Sequence, residues 1–294
     1  MLICIIGMSH ASFAQELEPR AFTSLPVGMN FAFAGYGYAQ GNVLFDPNLP
    51  LEDVEAKLNS VVMGYLRSIN FFGKSAKIDV VVPYGIGTWN GIYQGVDSTT
   101  SRSGFADMRL RLSIDFTGAP ALSIADYASY KPDLISGFSL EVYAPTGQYF
   151  PDRLINLGTN RWRIKPQYGF SKYFGKWILE GNAAVMFFTK NTDFFGGKTI
   201  TQKPVVGFKL HFIRTLKNTS WLALSAGYAY GATSTVNDTP VDFNLSTLRF
   251  LLTYAVPIAK AHTLRITGAT SIAFEEGADF DALALSYQYR WIRK

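Results

Sequence analysis

Apolar and polar residues alternate one by one along much of this chain. The clearest run is Ala106-Asp107-Met108-Arg109-Leu110-Arg111-Leu112-Ser113-Ile114-Asp115-Phe116, where every even position is apolar and every odd one polar or charged. On a strand this places the apolar side chains on one face and Asp, Arg and Ser on the other, whereas a helix would scatter the charges around its circumference. The same period recurs in Phe138-Ser139-Leu140-Glu141-Val142, Arg161-Trp162-Arg163-Ile164-Lys165, Phe208-Lys209-Leu210-His211-Phe212, Leu248-Arg249-Phe250 and Leu285-Ser286-Tyr287-Gln288-Tyr289. These runs predict strands near 28–38, 59–71, 76–87, 104–117, 133–145, 159–171, 175–189, 200–215, 219–232, 243–256, 261–274 and 279–291. Most exceed an ordinary soluble strand and match the length a tilted strand needs to cross a bilayer.

An even strand count with links alternating short and long is the signature of an up-and-down transmembrane barrel. Short links fall at Phe72–Ser75, Tyr173–Lys176, Leu216–Thr219 and Pro257–Lys260, long ones at 39–58, 88–103, 146–158, 190–199 and 233–242. Two links break the rhythm: 118–132 is long where a short turn is expected, with Ser123 to Tyr130 able to form a small helix, and Glu275–Ala278 is short where a long loop is expected. Aromatics gather near the strand ends: Trp162, Phe187, Tyr228, Tyr230, Phe274 and Phe280 towards one rim, Phe116, Phe170, Trp177, Phe212, Tyr254, Tyr289 and Trp291 towards the other. Two such girdles suit headgroup levels. A soluble lipid-binding β-protein would alternate equally, but would not need aromatics at both ends. The fold expected is therefore all-β: an antiparallel transmembrane barrel of about twelve strands over 28–294.

Composition adds compartment. Of 294 residues 15% are aromatic and only 17% charged, with 26 Gly, which favours strands and turns. Residues 1–14 are apolar and end Ser12-Phe13-Ala14, like a secretory signal peptide, although no Lys or Arg precedes the apolar run; an N-terminal strand is the alternative. Cys4, the sole cysteine, falls inside that segment, so the mature chain would carry no disulfide or cysteine metal site. Residues 15–27 would either hang in the periplasm or enter the lumen as a plug. The net charge of +5 comes without a Lys/Arg run, which gives no sign of nucleic-acid binding. The expected surroundings are a Gram-negative outer membrane with its lipid bilayer and lipopolysaccharide, reached through the outer-membrane assembly machinery.

The inward parity collects more cations than acids. Lumen-lining candidates are Arg109, Arg111, Glu141, Arg161, Arg163, Lys165, Glu180, Arg249 and Arg265; Lys209, Arg290, Asp79, Asp107 and Asp115 share the parity. They form either a positive constriction that favours anions or a salt-bridge ladder that fills the interior. In the external links Asp152, Arg153, Asn156, Asn160 and Asp193 are either contact residues or turn formers. Neither His211, of lumen parity, nor His262, near the periplasmic rim, suits the lipid-facing Ser–His pair of an outer-membrane lipid-modifying enzyme, and neither has a second His or Cys at ligand spacing. No catalysis, metal or cofactor is expected. Gly35-Tyr36-Gly37 and Gly85-Ile86-Gly87 lack the Lys-Ser/Thr of a phosphate loop.

Three stretches carry a family resemblance. They are Gly104-Phe105-Ala106-Asp107, where the family tends to have Gly in place of Ala106; Pro145-Thr146-Gly147-Gln148-Tyr149 followed by Asn156-Leu157-Gly158-Thr159-Asn160-Arg161-Trp162; and Asn191 to Pro204, with Phe194-Phe195-Gly196-Gly197 and Gln202-Lys203-Pro204. In these the chain resembles outer-membrane proteins of the MetA-pathway of phenol degradation family, often called transporters. The resemblance implies export to the outer membrane and traffic of aromatic compounds, and brings no catalytic residues. The function expected is passive diffusion of small, aromatic or anionic solutes. The alternatives are a structural or adhesive barrel acting through its external loops and, behind it, a lipid-modifying enzyme.

Overall fold

The computed structural model describes residues 18–44, 51–241, 244–274 and 277–292. The signal-like segment, Cys4 and His10 lie outside them. Seventeen strands appear in chain order. The first eight are β1 (Met29–Leu44), β2 (Leu51–Phe71), β3 (Lys74–Tyr93), β4 (Val96–Phe105), β5 (Arg109–Thr117), β6 (Leu134–Tyr143), β7 (Arg163–Phe174) and β8 (Trp177–Phe188). Then come β9 (Asn191–Phe194), β10 (Lys198–Gln202), β11 (Val205–Thr215), β12 (Trp221–Gly231), β13 (Ser234–Val236), β14 (Thr239–Val241), β15 (Leu245–Ala259), β16 (His262–Ala273) and β17 (Gly277–Ile292). One helix, α1 (Ile124–Ser129), lies between β5 and β6.

Thirteen strands form a single sheet in the order β2-β1-β17-β16-β15-β12-β11-β8-β7-β6-β5-β3-β4, closed by β2 pairing with β3. All pairs in it are antiparallel. β3 pairs with β4 through Tyr84–Tyr93 and with β5 through Ala76–Val81, so β4 and β5 act as one interrupted wall strand. The barrel therefore has twelve strands, as the alternation predicts. Closure leaves no unpaired edge in lipid. Outward positions carry exposed apolar side chains around the wall, among them Met63, Ile78, Leu110, Leu140, Leu210, Leu224, Leu252 and Leu285. Their inward neighbours are buried or polar, as at Arg111, Glu141, His211 and Thr253.

The departures have local causes. The expected long loops 39–58 and 88–103 are largely strand: β2 and β3 run far past the wall, and β3 turns into β4 at Gln94-Gly95, where both residues have positive φ as a two-residue hairpin turn requires. The long periplasmic link folds under the barrel. Ser123 caps α1 by accepting from the Asp126 amide, and Ala119 and Ala121 hydrogen-bond to the β2–β3 turn region. Links 190–199 and 233–242 hold a second, four-stranded sheet in the order β14-β13-β10-β9. Its Phe194, Ile200 and Val236 pack on inward-facing Tyr143, Met186, Val205 and Leu245 at the external strand ends, so it roofs part of the mouth. Phe280 is corrected: it packs against the buried cluster of Val54, Ala56, Leu58 and Trp89 and belongs to no outer girdle. Arg290 stands opposite buried Phe31 near the strand end, where it is exposed and donates to the Lys260 carbonyl.

Candidate functional site

Antiparallel register puts inward residues of adjacent strands into rows, and one row alternates in charge. Asp79 on β3 faces Arg111 on β5, Arg111 faces Glu141 on β6, and Glu141 faces Lys165 on β7. Asp79 accepts from Arg111 Nε at 2.6 Å and from Arg109 at 2.8 Å. Glu141 pairs with Lys165 at 2.8 Å, lies 4.0 Å from Arg111, and accepts from Tyr143 and Gln167. Glu18, just ahead of the barrel, reaches Arg111 at 3.3 Å and Arg265 at 4.0 Å. Of the two readings left open for the lumen charges, this wall shows the ladder: each acid is held by cations and hydrogen bonds, as charges taken out of bulk water must be.

Glu180 does not join the ladder. Its carboxylate accepts from the backbone amides of Ala21 and Phe22 and from the Ser171 hydroxyl. Lys77 donates to the carbonyls of Ala21 and Thr23 and lies 3.5 Å from Asp115. The Phe22 ring fills the hollow over Gly169, where an added Cβ would come within 2.2 Å of it. Ser68 and Tyr127 bond the carbonyls of Pro26 and Ser24, and the Val27 amide bonds Leu122. Residues 18–27 are thus tied to the inner wall by both charge and packing. Beside Glu180 in register stands His211, whose Nδ1 is 2.7 Å from the Ser225 hydroxyl. Sequence parity left this pair unseen because it depends on β11–β12 register. Both residues are wholly buried, so the serine has no access to a substrate or to lipid. Among the described residues no group of His, Asp and Glu could hold a metal ion.

The family-like motifs converge at the external end. Asp107, between β4 and β5, accepts from the Gly147 amide, the Thr159 amide and the Thr159 hydroxyl. Gly147 and Gly158 cross so closely that a Cβ on either would come within 2.7 Å of the other. Arg163 lies 3.7 Å from Asp107 and over the Tyr143 ring; Arg161 lies over Phe188 and bonds Gln202 of β10. Of the loop candidates, Asn156 is a buried brace bonded to Phe150 and Arg153, and Asn160 donates to Asn191. The Asp193 carbonyl accepts from Tyr149, whose pKa burial pushes up, keeping it a donor. Asp152 and Arg153 are exposed, with Arg153 over the Phe150 ring.

The facing wall is built differently. Ala184, Gly207, Ala229 and Thr247 stand in one register row across β8, β11, β12 and β15. One row outward lie Met186, Val205, Gly231 and Leu245; one row inward, Asn182, Lys209, Gly227 and Arg249. The small middle row leaves a cavity of about 60 Å³, room for a few waters at roughly 10–15 Å³ each. Three cationic residues, Lys165, Lys209 and Arg249, each with a partner of its own, line it together with the apolar wall, and among the described residues no acidic one does. Of the cations singled out from sequence, Arg249 and Lys165 meet here, whereas Arg161, just ahead of β7, and Arg163, its first residue, pack with the external loops, and Arg265 with Glu18 and the Trp221 ring.

A family model described as "Putative MetA-pathway of phenol degradation" matches residues 27–287. Among curated protein sequences none matches the chain. Among solved structures, the chain is similar to an outer membrane channel from Pseudomonas putida F1, with 21% identity and a TM-score of 0.79 over 93% of this chain and 99% of that one. It is similar to the translocator domain of the autotransporter NalP from Neisseria meningitidis at 11% identity and TM-score 0.56, with 96% of each chain covered. The transport unit of the autotransporter AIDA-I from Escherichia coli matches at 8% identity and TM-score 0.53, over 97% of this chain and 99% of that one. At these identities the likenesses establish the fold, an outer-membrane-type β-barrel.

Proposed function

Because the chain belongs to the MetA-pathway of phenol degradation family through residues 27–287, we propose that it is an outer-membrane channel passing small, aromatic or anionic solutes by passive diffusion. The observation that carries this reading is the asymmetry of the lumen. One wall is filled by paired charges, while the other keeps a largely apolar cavity, with cations at its margin, that the described side chains do not fill. A barrel serving only as a support for its loops gains nothing from such a void, which forfeits packing on every side. Residues 18–27 act as a displaceable plug, since their ties to Glu180 and Lys77 are hydrogen bonds and their one deep anchor is Phe22. Lys209 and Arg249 favour anions over cations in the passage.

Conductance of the full chain in planar bilayers tests this. Small discrete steps with anion preference are expected, larger in a variant lacking residues 15–27. Replacing Lys209 and Arg249 with Gln should lower the anion/cation permeability ratio. Bilayers that pass no ions with either protein, and vesicles that take up no labelled aromatic solute, would remove the channel reading and leave a barrel acting through its external loops.

A further inference from the structure

The outward face changes character at the short-turn end of β8 and β11. Along β11 the outward positions Phe208, Leu210 and Phe212 are apolar and exposed, as lipid requires, and the next outward position is Arg214, also exposed. Its register partner on β8 is Trp177, and the guanidinium carbon lies 4.7 Å from the centre of that indole ring. Trp177 in turn stacks on Phe212, with ring centres 4.5 Å apart and planes 22° from parallel. The two neighbouring turns supply an exposed lysine each. Lys176 precedes Trp177, and its carbonyl accepts from the Thr215 amide, so the turns adjoin; Lys217 follows in the β11–β12 link. Among the described residues no carboxylate pairs with Lys176, Arg214 or Lys217, whereas Lys172, outward on β7, is held by Asp133 at 2.6 Å.

We propose that Lys176, Arg214 and Lys217 form a headgroup site for an anionic phospholipid of the periplasmic leaflet, with its phosphodiester at Arg214. Short turns mark this end of the barrel as periplasmic, and stacked aromatics such as Trp177 and Phe212 belong at the headgroup level. A cation on the lipid-facing wall needs a counter-charge, and the protein supplies Lys172 with one but not Arg214. The guanidinium fork matches two phosphate oxygens, and its contact with Trp177 holds it in place for them. Below it the acyl chains meet exposed Leu222 and Leu224 of β12, which face Arg214 and Phe212 in register. A zwitterionic lipid brings an ammonium that the three cations repel, and inorganic phosphate would bury nothing on the leucines. The site lies on the outer surface, so it holds whether or not the lumen conducts.

Brominated phospholipids test this, because Trp177 is part of the site and bromine quenches indole fluorescence on contact. The full chain is reconstituted in phosphatidylcholine vesicles carrying a minor share of brominated phosphatidylglycerol or, in parallel, of brominated phosphatidylcholine. The Trp177 contribution is the difference between the parent and a Trp177→Phe protein. Phosphatidylglycerol should occupy the site at least about fivefold more tightly than phosphatidylcholine, the worth of one basic residue at an anionic membrane surface. Lys176→Gln, Arg214→Gln and Lys217→Gln together should remove that preference and leave quenching by phosphatidylcholine unchanged. Lys260→Gln, on the β15–β16 turn, should leave the preference intact. Equal quenching by the two lipids in the parent would overturn the proposal. So would loss of the preference in Lys260→Gln, the sign of a diffuse field in place of a site, or a preference kept by a triple variant that still migrates as a folded barrel on unheated gels. Inorganic phosphate should weaken the preference no more than chloride at the same ionic strength; a stronger effect would assign the cluster to the free ion and sink the lipid site.

Discussion

Two walls of one lumen, built by the same strand geometry, end in opposite states. From β3 to β7 the inward rows carry long charged side chains, and Asp79, Arg111, Glu141 and Lys165 reach across and close on one another. From β8 to β15 the inward positions include Ala184, Gly207, Ala229 and Thr247, a row level with Gln167 whose short side chains leave space beside them. Register makes rows on both sides; side-chain length decides whether a row becomes a strut or a bed. The lesson is a division of labour: the charged wall braces the interior of a mid-sized barrel, and the small-residue wall leaves the room that the proposed passage would use. Residues 18–27 bind to the charged side and its neighbour β8, through Glu18, Lys77 and Glu180, and so narrow the lumen without lining the cavity.

The comparison breaks most severely at Asp79. Asp79→Asn leaves buried Arg111 and half-buried Arg109 without their shared carboxylate and should cost about 3–5 kcal/mol, read as a lower urea midpoint of the folded barrel. An unchanged midpoint would mean that the ladder is not a strut. Next comes the distinction between faces on the open wall. Leu210→Arg, outward at mid-strand on β11, should cost about 2–4 kcal/mol. Lys209→Gln on the inward face should cost less, and the reverse order would show that β11 is turned the wrong way. Smallest in stability is the contrast between two glycines. Gly207→Ala should fall within about 0.5 kcal/mol of the parent, since its Cβ enters open space. Gly169→Ala should push out the Phe22 ring, loosening residues 18–27, and limited proteolysis of the folded protein should then cleave that segment faster.

All twelve wall strands were legible in the sequence because lipid forces period-two alternation over lengths that chance seldom gives. The same alternation is what assigned each lumen candidate to a face. Partners were less legible. Arg111 with Glu141 follows from neighbouring strands, but Glu180 meeting Ala21 and Phe22 depends on a segment with no alternation to read. The roofing sheet escaped notice because strands as short as Ser234–Val236 carry no periodic signal. The cavity was invisible for a different reason: Ala184, Gly207 and Ala229 look unremarkable singly and become a bed only when the turns fix three strands in register. Asn156, read as a loop residue open to either role, is a brace because its side chain closes back on Phe150 and Arg153.

The most direct measurement is uptake of labelled benzenesulfonate, an anion with no neutral form to cross lipid, into vesicles carrying the parent chain or the Gly207→Leu variant. If the small-residue wall is the solute's path, the parent vesicles should fill faster than protein-free ones, and Gly207→Leu should return the rate to the protein-free level while its barrel stays folded. Parent vesicles filling no faster than bare lipid, or a folded Gly207→Leu barrel filling as fast as the parent, would contradict the account.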